Sequence, residues 1–263
     1  MLLESVYIIR DGNIGAGPFA NSFLIKIILI IVTLIIVFYD WHKKERLDYF
    51  WVFLIGSLFW MGVEAYLQLL GAREYRANYL FGFGLPLYLS IPIQGMAECG
   101  SIIIISLFFA DRMLEEETKK YAVIGYSALM ALLFISSFIE GIQTPNYGGD
   151  VLSRREMFKI DDIIFLSIFT LITLTFLLVK PIPEQRMRGL YMLILMIIFG
   201  AIWNFGEFLA GTRWIEVGTE GNTRHAHPLI EFGAFAFDSV VEIAVIYVIF
   251  LAIPVWLKLI KSE

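Results

Sequence analysis

The chain has 263 residues, 59% of them hydrophobic and only 17% charged, with a mean hydropathy of +0.75. A soluble domain carries about 25% charge, so this composition predicts a polytopic membrane protein. The net charge of −5 comes without any basic run, which excludes nucleic acid as a partner.

The N-terminal stretch MLLESVYIIRDGNIGAGPF has no basic region followed by a cleavable apolar core. The first membrane helix is therefore expected to serve as the insertion signal. A spanning helix needs about 20 mostly apolar residues. The first such run is Phe19–Asp40, interrupted only by Lys26 near one end, and the charged turn HKKERLD follows it. The second is Tyr49–Leu70, and after a loop with Arg73, Arg76 and two glycines comes the third, Leu85–Ala110. Asp111–Lys120 reads as a solvated loop, and Tyr121–Glu140 is the fourth span. Gly141–Lys159, with Pro145 and Gly148-Gly149, reads as an ordered turn or a short surface helix. Asp161–Val179 is the fifth span, stopped by Lys180 and the Pro181-x-Pro183 pair. Gly189–Ala210 and Pro228–Leu257 are the sixth and seventh. The single Cys99 cannot form an internal disulfide and leaves the redox compartment unread.

Only helices or closed barrels span bilayers, and runs of this length mean helices. The predicted class is an all-α polytopic membrane protein with seven transmembrane helices. Lys and Arg are more frequent in the loops away from the N-terminus, including Lys43, Lys44, Arg46, Arg112, Lys119, Lys120, Arg186 and Arg188. The positive-inside rule then places the N-terminus outside and the C-terminus in the cytoplasm.

The chain contains one pattern twice. Trp60 lies four residues before Glu64, and Trp203 four before Glu207. Gly-x-Arg and an aromatic follow each Glu: Gly71, Arg73 and Tyr75, then Gly211, Arg213 and Trp214. Each copy then reaches a proline-containing loop and two polar residues four apart, Gln94 and Glu98, then Asp238 and Glu242. This predicts a parallel 3+1+3 repeat: residues 1–120 form one three-helix unit, 121–140 a linker helix, and 141–263 the second unit. Four crossings separate the copies, so the two share an orientation, as in one known transporter plan.

Acids in apolar segments are expensive to bury. At about 1.5 Å per residue, Glu64 and Glu207 lie roughly 5–10 Å below the outer helix ends, and Gln94, Glu98, Asp238 and Glu242 roughly 12–20 Å. All of them are expected in the outer half of the bilayer, facing one cavity. No basic residue of the spans is placed to pair with them, since Lys26, the one candidate, is not near the right helix end. Carboxyls crowded in a low dielectric cannot all ionise, so at least one is expected to hold a proton. Such a proton suits general-acid chemistry or proton-coupled transport, and the plainer alternative is that each acid fixes helix packing. Trp60 and Trp203, beside the acids, are candidates to stabilise a carbocation.

His225, His227 and Glu231, in HAHPLIE, have the residue types and spacing of zinc or iron ligands. The alternative there is an interfacial hydrogen-bonding loop. No cofactor is otherwise required, and no P-loop, GxSxG, CxxC or dinucleotide fingerprint is present.

The run Gly-x-Arg-x-Tyr, a proline loop, then Pro92-Ile93-Gln94 or Pro228-Leu229-Ile230-Glu231 opening a helix resembles the integral-membrane carotenoid enzymes. These are the tandem-domain lycopene cyclases of archaeal and fungal type and the carotenoid hydratases. The cyclases have two three-helix domains joined by a linker helix, each with a Pro-Ile-Glu-Glu-like run; here Gln94 stands at the first acid position, and no Glu-Glu pair occurs. The hydratases resemble Glu64…Gly71…Tyr75 and Glu207…Gly211…Trp214. The resemblance implies an intramembrane enzyme acting on an isoprenoid or other membrane lipid by protonating a double bond, in cyclisation, hydration or isomerisation. It implies Glu98 and Glu242 or Asp238 as proton donors, with Glu64 and Glu207 stabilising the cation or relaying protons. Trp60 and Trp203 would form the aromatic wall, and Gln94, Arg73 and Arg213 would contact the substrate. The alternative function is a proton-coupled small-solute transporter using the same acids. A sensor without turnover is the third reading, and the oligomeric state is not legible.

Overall fold

The computed structural model describes residues 6–12, 23–71, 73–75, 78–143, 151–157, 160–179, 183–219 and 222–260. The first helices are α1 (Leu24–Lys44) and α2 (Asp48–Leu69). A long helix Leu87–Leu114 follows, made of α3 (Leu87–Gly95), a π-helical turn Met96–Ser101 and α4 (Ile102–Leu114). Next come α5 (Glu116–Gln143), α6 (Ile160–Leu178) and α7 (Pro183–Ala210). The last helix, Pro228–Trp256, comprises α8 (Pro228–Phe237), a π-helical stretch Asp238–Val245 and α9 (Ile249–Trp256). Six of these helices are long and apolar enough to cross a membrane, as a multi-pass integral membrane protein requires. The fifth expected span coincides with α6, whose apolar part is the shorter Ile163–Leu178.

Two helices form the centre. The most apolar windows of Leu87–Leu114 and Pro228–Trp256 are 67% and 56% buried, against 17–33% for the others. The outer helices turn Ile25, Ile35, Leu132 and Leu171 outward, as lipid-facing surfaces do. The helix Leu87–Leu114 packs against α2, and α7 packs against the π-helical stretch Asp238–Val245. Between these pairs, α2 packs on α9 and α4 packs on α7. Glycines permit the close approaches. A Cβ at Gly95 would meet the Met61 backbone nitrogen at 2.8 Å, and one at Gly200 would meet Ser239 Cα at 3.0 Å.

The structure also contains strands, which the all-α expectation lacks. β1 (Tyr7–Gly12), β2 (Arg73–Tyr75), β5 (Val151–Met157), β6 (Arg213–Thr219) and β7 (Asn222–His225) form one antiparallel sheet in the order β2-β5-β1-β6-β7. A small hairpin, β3 (Tyr79–Leu80) and β4 (Phe83–Gly84), lies apart from it. Part of Gly141–Lys159, expected as a turn or surface helix, is therefore the strand β5 (Val151–Met157). Its neighbours on both sides satisfy its backbone, which a lone surface segment could not arrange. Pro145, Gly148-Gly149, Lys180 and Pro181 lie outside the described residues. The sheet packs through Tyr7, Ile9, Met157 and Ile215 onto Ala234 and Phe235 of α8, with Phe205 and Phe208 of α7 alongside.

Asp111–Lys120, expected as a solvated loop, is helical apart from one bend at Glu115. α4 runs on to Leu114, and Asp111 is buried in the bundle.

Candidate functional site: a carboxylate–arginine centre under the sheet

The duplicated Gly-x-Arg pattern has a local cause. α2 and α7 each end on a glycine in the left-handed region, Gly71 at φ +64° and Gly211 at φ +77°. Glycine adopts this conformation without strain, and it turns the chain back across the helix end. The arginine two residues on therefore opens a strand directly above its own helix. Arg73 reaches back to bind Glu64, and Arg213 approaches Glu207 at 3.5 Å.

The polar pairs of the two central helices join the same centre. Arg73 also lies 3.3 Å from Glu98. Lys26 of α1 binds Gln94 and is 3.3 Å from Glu98, and Gln94 itself donates to Glu98. On the other side Arg155 of β5 binds Glu242 and donates to Asp238 at 2.7 Å. Arg213 is 3.6 Å from Asp238, and Asn204 donates to Asp238 at 2.9 Å and to Ser239 at 2.8 Å. Glu64, Gln94, Asn204 and Asp238 are all buried.

The expectation that these acids lack cations is thus corrected. The partners come from strands folded over the helix ends, which counting along the spans overlooks. Lys26 is at the right end of α1, because α1 and Leu87–Leu114 start from the same side of the bundle. Arg155 carries no signal in the sequence beyond a basic pair in the strand-forming run VLSRREM.

The two clusters adjoin across the sheet. Arg73 and Arg155 lie directly opposite each other on β2 and β5. Like charges at such positions repel, and the carboxylates beneath them offset the repulsion. Burial works against the Arg155 charge, but Glu242 and Asp238 outweigh it and hold its pKa above the ordinary arginine value. Trp60 packs edge-on against Tyr247 at 5.1 Å. Trp203 instead packs against Phe199 at 5.6 Å. Among the described side chains the centre holds five carboxyls (Glu64, Glu98, Glu207, Asp238, Glu242) and four cations (Lys26, Arg73, Arg155, Arg213).

The acids also share a backbone feature. Glu98 sits in the π-helical turn Met96–Ser101, while Asp238 and Glu242 sit in the π-helical stretch Asp238–Val245. Such wide turns recur at functional sites, where they shift a side chain off the regular helical face.

His225, His227 and Glu231 do not converge. His227 caps α8, its Nδ1 accepting from the Leu229 amide at 3.3 Å, and buried Glu231 accepts from the Ile215 amide at 3.0 Å. His225 lies beside the Trp214 ring. Among the described residues no three His, Cys, Asp or Glu side chains form a group able to hold a metal. The hydrogen-bonding duties of His227 and Glu231 keep this sequence pattern from gathering into a ligand set.

A second polar centre lies at the helix ends away from the sheet, and the sequence pattern does not announce it. Arg188 of α7 grips Asp111 of α4 through two nitrogens, at 2.7 and 2.9 Å, and binds Asp48 of α2 at 2.9 Å. Gln185 accepts from Arg188, and Tyr49 donates to Asp111 at 2.9 Å. Asp40 of α1 is 2% exposed beside them, with Arg46 at 3.7 Å. In sequence these residues adjoin the charge runs HKKERLD, DRMLEEETKK and EQRMR, and they look like loop charges. Arg188 is therefore a buried residue, not one of the free loop cations of the orientation argument.

No protein-family model, curated protein sequence or solved structure matches the chain.

Proposed function

We propose that the chain is an intramembrane enzyme that protonates a double bond of an isoprenoid or other lipid, using one carboxyl of the centre beneath the sheet. The observation that carries this reading is that two carboxyls one helical turn apart, those of Asp238 and Glu242, bind the same guanidinium, that of Arg155. Two carboxyls held this close in a low dielectric do not both ionise freely, so the pair holds a proton. The shared grip of Arg155 makes this Asp238–Glu242 pair the donor. The acid passes its proton to an alkene carbon and leaves a carbocation, while Arg155 stabilises the new carboxylate. Loss of a proton from the cation, or from water that captures it, returns the carboxyl to its starting form. Trp60 and Tyr247 supply the aromatic wall.

The parallel 3+1+3 repeat belongs to this reading. Its support is reciprocity: α2 packs on α9 as α7 packs on α4, and β2-β5-β1-β6 reads the same after exchanging β1 with β5 and β2 with β6. A two-fold axis along the membrane normal requires such exchanges. The sheet then caps the bundle on the outer side, with the C-terminus in the cytoplasm.

The test is an absorption and lipid mass spectrum of protein purified gently from its native membrane. A stoichiometric polyene or isoprenoid, converted by wild type but not by E242Q or D238N, is expected. A protein free of lipid substrate whose vesicles accumulate a solute with protons contradicts the enzyme reading. It would establish the second reading, a proton-coupled transporter, which one observation favours. Arg73 and Arg155 each bridge two carboxyls, so protonating one carboxyl loosens the bond between sheet and helices.

A further inference from the structure

The first three helices carry polar residues at three levels, and the hydroxyls of the middle level have no hydrogen-bond partners among the described residues. On α1, Lys26, Thr33 and Asp40 are seven residues apart and share one face. On α2, Ser57 is seven residues from Glu64, and Asp48 lies at the far end. Lys26 and Glu64 belong to the centre under the sheet, whereas Asp40 and Asp48 belong to the far centre. Thr33 and Ser57 lie between, 0% and 3% exposed. Ser57 fills the notch left by Gly100, where a Cβ would sit 2.2 Å from its Oγ.

Among the described residues the hydroxyls of Thr33 and Ser57 have no hydrogen-bond partner, and neither oxygen of the Asp40 carboxyl has one. The buried Thr173 and Ser239 hydroxyls of the second three-helix unit are bonded. Thr173 donates to the Val245 carbonyl at 2.7 Å and Ser239 to the Phe235 carbonyl at 2.7 Å. Buried polar atoms are nearly always satisfied, and where the protein does not do so water does. A hydroxyl can accept from one neighbour and donate to the next, which is what a proton relay requires.

We propose that α1, α2 and Leu87–Leu114 enclose a water-mediated proton pathway between the far ends of the helices and the centre under the sheet. Protons enter at Asp40, pass the Thr33 and Ser57 hydroxyls, arrive at Glu98 beside Lys26, and leave on the sheet side, where the Glu98 side chain is 22% exposed. Each level is about 10 Å from the next, a gap that a short chain of waters bridges. The charged and titratable groups at the entrance are Arg46, Asp48, Tyr49, Asp111 and Arg188, with Lys44 held by Glu115 at 2.8 Å. Those at the exit are Lys26, Glu64, Arg73 and Glu98. The pathway goes beyond the proposed function, since it supplies protons to the centre whatever reaction the centre performs.

The full-length protein is reconstituted into vesicles containing a pH-sensitive dye, and a potassium diffusion potential drives protons inward. Wild type is expected to acidify the lumen faster than protein-free vesicles. Thr33→Val, which keeps the shape of the side chain, is expected to lose this flux, and Thr33→Ser to retain it. Ser57→Ala, which removes one oxygen, is the second break and is also expected to lose flux; melting temperatures confirm that both variants fold. Wild-type vesicles no faster than protein-free ones overturn the proposal. So does a folded Thr33→Val or Ser57→Ala protein that conducts like wild type.

Discussion

Replacing Arg155 with Met removes the cation shared by Asp238 and Glu242 while keeping most of the side-chain volume. Arg155 donates to Asp238 at 2.7 Å and binds Glu242, and its side chain is 18% exposed. Breaking a buried ion pair from one side costs about 3–5 kcal/mol. Arg213, 3.6 Å from Asp238, still compensates that acid, so only Glu242 is orphaned and the lower value of about 3 kcal/mol applies. At about 2–4 °C per kcal/mol for a chain of this size, the melting temperature falls by about 6–12 °C. The assay is thermal unfolding of the detergent-purified protein, followed by tryptophan emission. R155M/E242Q removes the orphaned charge and is expected to recover most of the loss. An R155M protein that melts like wild type refutes the reasoning, as does a double variant no more stable than R155M.

Three further outcomes follow from other parts of the molecule. G95A places a methyl group against the Met61 backbone and costs about 1–3 kcal/mol, whereas G62A, with open space around it, is neutral or slightly stabilising; both are read by thermal unfolding. R188L leaves Asp48 and Asp111 buried without their cation and lowers stability by about 3–5 kcal/mol, with part of that recovered in R188L/D111N. At Glu115, burial raises the carboxyl pKa, but hydrogen bonds from Lys44 and Arg112 outweigh it and lower the value from 4.5 to about 2. A lowered folded-state pKa stabilises above the unfolded value and loses that contribution as pH falls from 4.5 towards 2. The stability gap between wild type and E115Q is therefore small, because Glu115 is largely exposed, and it narrows across that acid range.

The helices are legible in the sequence because an uninterrupted apolar run of membrane length suits little besides a bilayer span. The acids are legible for the same reason: Glu64, Glu98, Glu207, Asp238 and Glu242 interrupt those runs, and their spacing repeats. The strands are not. β2 is three residues long, and β5 sits in a charged loop; strands this short have their register set by neighbours distant in the chain. With the strands hidden, Arg73 looks like a substrate contact, and Arg155 has no visible role. The Gly-x-Arg repeat holds part of the answer, since a glycine ending a helix predicts a chain reversal that returns the arginine to its own Glu. The far centre is illegible on different grounds. Asp48, Asp111 and Arg188 stand beside charges that do face solvent, and sequence does not separate the last buried residue of a helix from the first exposed one.

The central claim is that the Asp238–Glu242 pair under the sheet, gripped by Arg155, carries a proton. Infrared spectroscopy of the reconstituted protein near neutral pH measures this directly, because a protonated carboxyl has a carbonyl stretch that a carboxylate lacks. The account predicts a protonated-carboxyl band that disappears in E242Q or D238N and persists in E64Q. A wild-type spectrum with no such band, or a band unchanged by E242Q and D238N but lost in E64Q, contradicts it.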